Sequence, residues 1–143
     1  MRILGLDLGS KRIGVALSDP EATIASPLTT LERKGGDRDL RAVGELVREH
    51  EVGEIVVGLP LHMDGRRGPE AEAALRFADQ LASAIEIPIG TLDERWTTVE
   101  AERALRESGR HGRKRRAVVD SVAASILLRT WLERRHARAR ATR

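Results

Sequence analysis

The chain has 143 residues with a formal net charge of +3, and its 41% hydrophobic and 33% charged residues fit one compact domain with a real core. The absence of cysteine excludes disulfides and thiolate zinc sites. No apolar run approaches the roughly 20 residues that span a bilayer, and the N-terminal segment has no signal-peptide pattern, so we expect a cytoplasmic protein without a membrane partner.

The first third of the sequence predicts three strands. Arg2–Leu8 is an apolar run that the turn Gly9–Arg12 connects to a second run, Ile13–Leu17, as in a hairpin. A third strand is expected over Ala22–Leu31. Its Pro27 confines this strand to a sheet edge, because proline cannot donate to the ladder.

The rest of the sequence alternates helices with strands. In chain order the predicted elements are a helix over Asp37–His50 with Asp37 as its N-cap, a strand over Glu54–Leu59, a loop over Pro60–Gly68, a helix over Pro69–Ala84, a strand over Ile87–Leu92, a helix from Thr97 to about Gly109, a basic linker over Arg110–Arg116 and a last helix over Ala117–Leu132. This order predicts an α/β fold with a mixed five-stranded sheet and helices on both faces. The domain is expected over residues 1–133, followed by a basic, disordered tail over residues 134–143.

Asp7 lies in what should be a central strand, since the flanking Leu6 and Leu8 indicate that both faces are buried. A buried carboxylate costs several kcal/mol unless it is hydrogen-bonded, ion-paired or bound to a cation. Gly9 allows the chain to turn sharply just after it. Asp7 is therefore a candidate metal ligand, and the alternative is a structural aspartate that caps a turn.

Asp120 and Arg129 are the two charged residues in the predicted helix Ala117–Leu132. Nine residues at 100° each place them about 180° apart on the helix. Because Arg129 should face water, Asp120 should point inward. An inward carboxylate fits a metal ligand, or an ion pair with an arginine such as Arg12 or Arg95.

Asp93 and Glu94 follow the predicted strand Ile87–Leu92. Ligands gather beyond the carboxyl ends of strands in α/β sheets, and adjacent strand residues point to opposite sides. Only one of the two acids should then reach a site directly. We expect Glu94 to be the ligand and Asp93 to support it, and the alternative is that both are ordinary acids at a helix N-terminus.

Together, Asp7, Glu94 and Asp120 form a carboxylate set without histidine or cysteine companions, which favours Mg²⁺ or Mn²⁺. Two such ions about 4 Å apart would activate a water and stabilise the leaving oxygen of a phosphodiester. The hydroxyls of Ser10 and Thr98 are candidates to orient phosphate or water, with solvated turn residues as the alternative.

The positive charge is concentrated in one part of the chain. Residues 1–100 carry 12 Lys/Arg and 18 Asp/Glu, whereas residues 101–143 carry 13 and 4, as expected if a polyanion docks at one place. The candidate nucleic-acid ligands are Lys11, Arg12, Arg95, Arg113, Lys114, Arg115 and Arg116, and a solvated basic loop is the alternative. Because only three residues are aromatic, backbone and shape are the expected targets rather than splayed bases.

Four ordered blocks of the sequence resemble the YqgF/RuvX family. They are Gly5–Ala16, Ile55–Leu61, Asp93–Thr98 and Lys114–Ala124, within a match that covers about residues 2–133. The resemblance implies an RNase H-like fold related to Holliday junction resolvases, and a nuclease with Asp7, Glu94 and Asp120 at its catalytic and metal-binding positions. The implied substrate is pre-16S rRNA, matured at its 5' end in ribosome biogenesis, or alternatively branched DNA. A symmetric junction would favour a homodimer, whereas RNA would allow a monomer.

Two other classes of protein stay open. The motif Asp7–Ser10 is also typical of sugar kinases and other ATPases of the actin-like type, but these close two lobes over the nucleotide and 143 residues supply one. The other class is a non-catalytic RNA-binding or ribosome-assembly factor whose acids are remnants. Tight Mg²⁺-dependent ATP binding without cleavage would favour the kinase, and an intact function after Asp7→Asn would favour the binding factor.

Overall fold

The computed structural model describes residues 1–97 and 113–141, and it describes the side chains of all of these except residues 113–118. The elements are β1 (Arg2–Leu8), β2 (Arg12–Ser18), β3 (Ala25–Glu32), α1 (Gly36–Glu49), β4 (Val52–Leu59), α2 (Pro69–Ala84), β5 (Ile89–Asp93), a 3₁₀ turn over Glu94–Trp96, and α3 (Arg113–Ala141). The helix that the sequence predicts from Thr97 onward lies outside the described residues, apart from Thr97 itself.

The five strands form one mixed sheet in the order β3-β2-β1-β4-β5. β1 pairs antiparallel with β2, and β2 with β3, whereas β1 pairs parallel with β4, and β4 with β5. β1 is therefore the central strand, as its continuous apolar run predicts. β3 lies at an edge, and its Pro27 sits at a register shift against β2. The predicted mixed sheet is confirmed.

Helices cover both faces of this sheet. One face carries Leu4 and Leu6 of β1 and packs against the apolar sides of α1 and α2. The other face carries Ile3 of β1 and Val56 of β4, and α3 packs on it. Because side chains alternate along a strand, Asp7 belongs to the face that α3 covers.

Glycines on four neighbouring strands let α3 approach the sheet closely. They are Gly14 on β2, Gly5 on β1, Gly58 on β4 and Gly90 on β5. A β-carbon at Gly14 would overlap the main-chain carbonyl of Asp120, and one at Gly58 would overlap the side chain of Leu127. The absence of these side chains therefore sets how deeply α3 sits.

α3 extends beyond the predicted range Ala117–Leu132 at both ends. It begins at Arg113, inside the expected basic linker, and it ends at Ala141, so residues 134–141 are helical where a disordered tail was expected. Arginine and alanine are strong helix formers, and no glycine or proline follows Arg113 to end the helix. Within the described residues, no helix combines the length and apolar character needed to cross a membrane.

A buried acid fixes the second half of α3 to the sheet. Glu54 of β4 is 6% exposed, and it accepts hydrogen bonds from the Trp131 indole N–H at 2.8 Å and from Arg135. An acid buried in this way needs such donors. The contact therefore holds α3 as far as Arg135, just beyond the predicted end of the helix at Leu132.

α1 begins differently from the expectation that Asp37 caps it. The N-cap is Gly35, whose φ of 88° is rare for residues with a side chain, and no side-chain cap hydrogen bond is formed. Asp39, which is buried, instead accepts from the main-chain N–H groups of Lys34 at 2.8 Å and Gly35 at 3.2 Å. The Asp39 side chain thus binds the main chain just before the helix, at the N-cap and the residue preceding it.

The turn before β3 delays the start of that strand from the predicted Ala22 to Ala25. The Asp19 carboxylate accepts from the main-chain N–H groups of Ile24 and Thr23, both at 2.7 Å. These hydrogen bonds, that from Ile24 first, hold the pKa of Asp19 far below its usual range. An Asx-type turn therefore occupies residues that the apolar pattern assigns to the strand.

The close approach of α3 predicts opposite effects for two glycine substitutions. Gly14→Ala should lower the free energy of unfolding by at least ~2 kcal/mol, because its β-carbon meets rigid main chain at Asp120. Gly44→Ala, inside α1, would meet only Arg48 Nη1 at 3.7 Å, and it should raise stability by about 0.5–1 kcal/mol. Urea unfolding of both variants measures this, and equal effects would contradict the packing described.

Candidate active site

Asp7 lies near the end of β1 and is 5% exposed. Its register partner on β2 is Gly14. On β4, the pairing of Leu6 with Val57 continued by one residue puts Gly58 beside it. Neither glycine has a side chain, so groups from other elements can approach Asp7 on both sides.

Asp120 approaches from the side of β2. Its Cβ lies 3.2 Å from the position of a β-carbon on Gly14, the residue paired with Asp7. Arg129 on the same helix is exposed, as the helical spacing predicts. Asp120 and Asp7 are therefore neighbours in space although they are far apart in the sequence.

Glu94 approaches from the side of β4. It is the first residue of the 3₁₀ turn and is 8% exposed. Its Oε1 lies 2.6 Å from the position of a β-carbon on Gly58. The turn that follows β5 thus brings Glu94 to the corner of the sheet where Asp7 and Asp120 lie.

The three predicted acids converge around Asp7, at the carboxyl ends of β1 and β4. Over residues 1–97 and 113–141, however, no group of three histidine, aspartate or glutamate side chains is arranged so that it could hold a metal ion. Asp120 is engaged elsewhere: Arg12 Nε donates to its Oδ2 at 2.7 Å. The fold therefore brings the acids together without closing them into a coordination shell.

The Arg12–Asp120 ion pair is one of the two arginine pairings that the sequence left open. Arg12 begins β2, and the two side chains are only 20% and 17% exposed. The Coulombic attraction within a partly desolvated pair is larger than in open solvent, and the cost of desolvating both charges opposes it. Asp120 thus already has a cationic partner in this state of the protein.

Asp93 pairs with Arg95, the other arginine considered. Arg95 Nη2 donates to Asp93 Oδ2 at 2.6 Å, and its main-chain N–H donates to Oδ1 at 2.9 Å, which caps the 3₁₀ turn. Hydrogen bonds from the Arg95 side chain, with a further one from its main chain, hold the pKa of Asp93 below its usual range, and the carboxylate raises the pKa of Arg95. Arg95 also donates to the main-chain oxygen of Met63 at 3.3 Å. The pair therefore fixes the turn that carries Glu94.

The other predicted site residues lie at the edges of this corner. Ser10 and Lys11 are exposed in the turn between β1 and β2, which the Gly9 N–H closes by donating to the Arg12 carbonyl at 2.8 Å. Thr98 lies outside the described residues. Arg113, Lys114, Arg115 and Arg116 form the start of α3, and nothing is described of their side chains.

The roles of Gly14 and Gly58 were not recognised from the sequence. Both stand inside strands that are otherwise mostly apolar. A glycine there weakens the strand and often marks the close approach of another group. A glycine within an apolar strand can be recognised in the sequence, but it does not show which group approaches the strand there.

Comparisons with known proteins agree with this architecture. The sequence model of a family described as "RuvX: Holliday junction resolvase" matches residues 1–134. Two relatives named "Putative pre-16S rRNA nuclease" are each 50% identical to the chain. The relative from Chloroflexus aurantiacus matches over 93% of this chain and 87% of its own length, and that from Moorella thermoacetica over 94% and 96%.

Two solved structures share the fold at low identity. RuvC of Thermus thermophilus, in complex with a Holliday junction substrate, has a TM-score of 0.58 and 16% identity over 95% of this chain and 96% of that chain. The fowlpox virus Holliday junction resolvase has a TM-score of 0.51 and 10% identity over 93% and 99%. The predicted RNase H-like fold is confirmed, and the match to nearly the whole sequence shows that this chain belongs to the RuvX family.

Proposed function

We propose that this chain is a metal-dependent endonuclease that hydrolyses phosphodiester bonds and processes the 5' end of pre-16S rRNA in ribosome biogenesis. The observation that carries the proposal is the convergence of Asp7, Glu94 and Asp120 at one corner of the sheet in a member of the RuvX family. The relatives that are 50% identical support the choice of RNA through their name.

The donor set fits a hard divalent cation. The three acids offer only oxygen ligands, which suit Mg²⁺ or Mn²⁺. Asp7 and Glu94, at 5% and 8% exposure, concentrate negative charge where little water screens it. We propose that these two acids and Asp120 would hold two ions, which when bound polarise phosphoryl oxygens and lower the pKa of water.

Arg12 stands where a cation would approach Asp120. Ligation through Asp120 Oδ2, the oxygen that Arg12 contacts, would require that the carboxylate exchange Arg12 for the ion. The released guanidinium would remain beside the site, where a phosphate oxygen is a suitable partner. In the proposed function, Arg12 thus neutralises Asp120 before the ion binds and contacts substrate afterwards.

The start of α3 supplies further positive charge. Arg113, Lys114, Arg115 and Arg116 precede Asp120 on one continuous helix. With a rise of about 1.5 Å per residue, all four lie within ~10 Å of Asp120 along the helix axis. Contacts from these residues to phosphates would fix the nucleic acid over the acids without reading its sequence.

Cleavage of branched DNA is the second candidate. The description of the matching family favours it. The structural likeness to RuvC of Thermus thermophilus has only 16% identity and supports the fold alone, so we place pre-16S rRNA first. The match to the RuvX family over residues 1–134 also favours a nuclease over the actin-like kinase.

Neutralising one acid should separate cleavage from binding. We expect Asp7→Asn, Glu94→Gln and Asp120→Asn each to lower the cleavage rate at least ~10³-fold, because each removes a proposed ligand. Affinity for nucleic acid should persist or increase, since a negative charge is lost. Cleavage of a pre-16S leader RNA and of a four-way DNA junction, with Mg²⁺, Mn²⁺ or EDTA, measures both effects.

The control for this experiment is Asp79→Asn, an exposed acid on α2 on the opposite face of the sheet. It should cleave like the unmodified chain. Cleavage of the junction but not of the RNA would move the second candidate to first place. Failure to cleave either substrate, with RNA binding intact, would favour the non-catalytic binding factor.

Gly58→Ala should impair cleavage more than folding. Its β-carbon meets only the ends of two side chains, Leu127 Cδ1 and Glu94 Oε1. We expect about a hundredfold loss of rate from a displaced Glu94, with a stability loss below ~2 kcal/mol. The control is Gly90→Ala, which meets Trp131 at 2.7 Å under the same helix. If both variants lost activity in proportion to stability, Glu94 would have no special role.

Removing Arg12 should change two affinities in opposite directions. In Arg12→Gln, the Kd for Mn²⁺ should fall about tenfold because a competing positive charge is removed, while nucleic acid should bind more weakly. The control is Arg41→Gln, an exposed arginine on α1, which changes the net charge equally. Calorimetric Mn²⁺ titration and filter binding measure the two effects, and unchanged Mn²⁺ affinity would argue against Asp120 as a ligand.

A further inference from the structure

Trp96 is the most exposed of the three aromatic residues. Its residue exposure is 54%, whereas Phe77 is 4% exposed and Trp131 is partly buried with its indole N–H bonded to Glu54. A tryptophan left this open loses the stabilisation that its burial would give. The open ring is therefore a candidate contact surface.

The ring of Trp96 is held in place on one side. Trp96 ends the 3₁₀ turn, which Thr97 closes by donating its N–H and its hydroxyl to the Glu94 carbonyl at 3.0 and 2.8 Å. Arg134 of α3 lies over the ring, with its guanidinium carbon 3.8 Å from the centroid, in a cation–π contact. Little conformational freedom would be lost when a second flat group binds to the open side.

The position of Trp96 links it to the carboxylates. It follows Glu94 by two residues in a turn that rises about 2 Å per residue. Trp96 therefore belongs to the same turn after β5 as Glu94. Arg134, about 21 Å from Asp120 along α3, brings positive charge to the ring, which suits the phosphates on either side of a nucleobase.

We propose that Trp96 is a stacking platform for one unpaired nucleobase on the same strand as the phosphodiester bond that is cleaved, a few nucleotides from it. An indole with one open face accepts any base by its π-surface, whereas a continuous duplex keeps its bases within the stack. This inference rests on the proposed function and narrows its substrate class to nucleic acid with an unstacked nucleotide within a few nucleotides of the cleavage position. It also revises the expectation that the chain contacts only backbone and shape.

Binding without cleavage tests the platform. The probes are a fluorescein-labelled 12-nucleotide single-stranded RNA and a blunt duplex of the same sequence, in EDTA, read by fluorescence anisotropy. Trp96→Leu should weaken single-strand binding about tenfold and duplex binding less than about twofold, and Trp96→Phe should keep most of the affinity. The matched control is Ile24→Ala, an apolar residue with 65% exposure in the turn before β3, which should bind both probes normally.

A second readout uses the tryptophans directly. The chain has two, so Trp131→Phe leaves Trp96 as the single emitter, and the single strand should quench its fluorescence while the duplex should not. The platform would be refuted if the single strand did not quench Trp96. It would also be refuted if Trp96→Leu bound both probes as tightly as the unmodified chain does. If the single strand quenches Trp96 but the chain cleaves neither RNA nor junction, the stacking platform is supported and the nuclease function is refuted. If the chain cleaves but no quenching is seen, the nuclease function is supported and the platform is refuted.

Discussion

The close packing of α3 on the sheet constrains every other feature of the candidate site. β-carbons at Gly14 and Gly58 would occupy the space on either side of Asp7 and push away Asp120 and Glu94. Because both are glycines, the central strand, the turn after β5 and the last helix each place one carboxylate at the same corner. The space left by these two glycines thus serves both purposes: it lets α3 pack closely on the sheet, and it lets Asp120 and Glu94 approach Asp7.

Electrostatics sets a second constraint, because acids that converge under a helix repel one another. Two arginines offset part of this negative charge: Arg12 pairs with Asp120, and Arg95 pairs with Asp93. Their roles differ. Arg95 is tied to Asp93 and to the loop at Met63, so it stabilises the turn that holds Glu94. Arg12 engages Asp120, an acid that the proposed chemistry needs, and in that proposal a metal ion would take its place at the carboxylate oxygen Oδ2.

Much of this architecture was predictable from local pattern. The bounds of β1 and α2 agree with the prediction because a continuous apolar run and a proline at the first helical position are local signals. α3 was predicted too short, since its residues beyond Leu132 are mostly polar, and the one that Glu54 binds, Arg135, is 81 residues away from it in the sequence. The grouping of the acids was inferred from the expected strand, strand-end and helix-face position of each, and the family resemblance implied the same set. The choice of Arg12 over Arg95 as the partner of Asp120 depends on a contact across 108 residues, which no local rule fixes.

The central claim is that the acids around Asp7 hold divalent cations. Anomalous diffraction at the manganese edge, from crystals of the chain soaked in Mn²⁺, tests it most directly. The account predicts anomalous density bound by Asp7 and Glu94, with the Asp120 carboxylate turned from Arg12 to the ion. Mn²⁺ bound only at other places, or a corner without density at concentrations of Mn²⁺ that support cleavage, would contradict it.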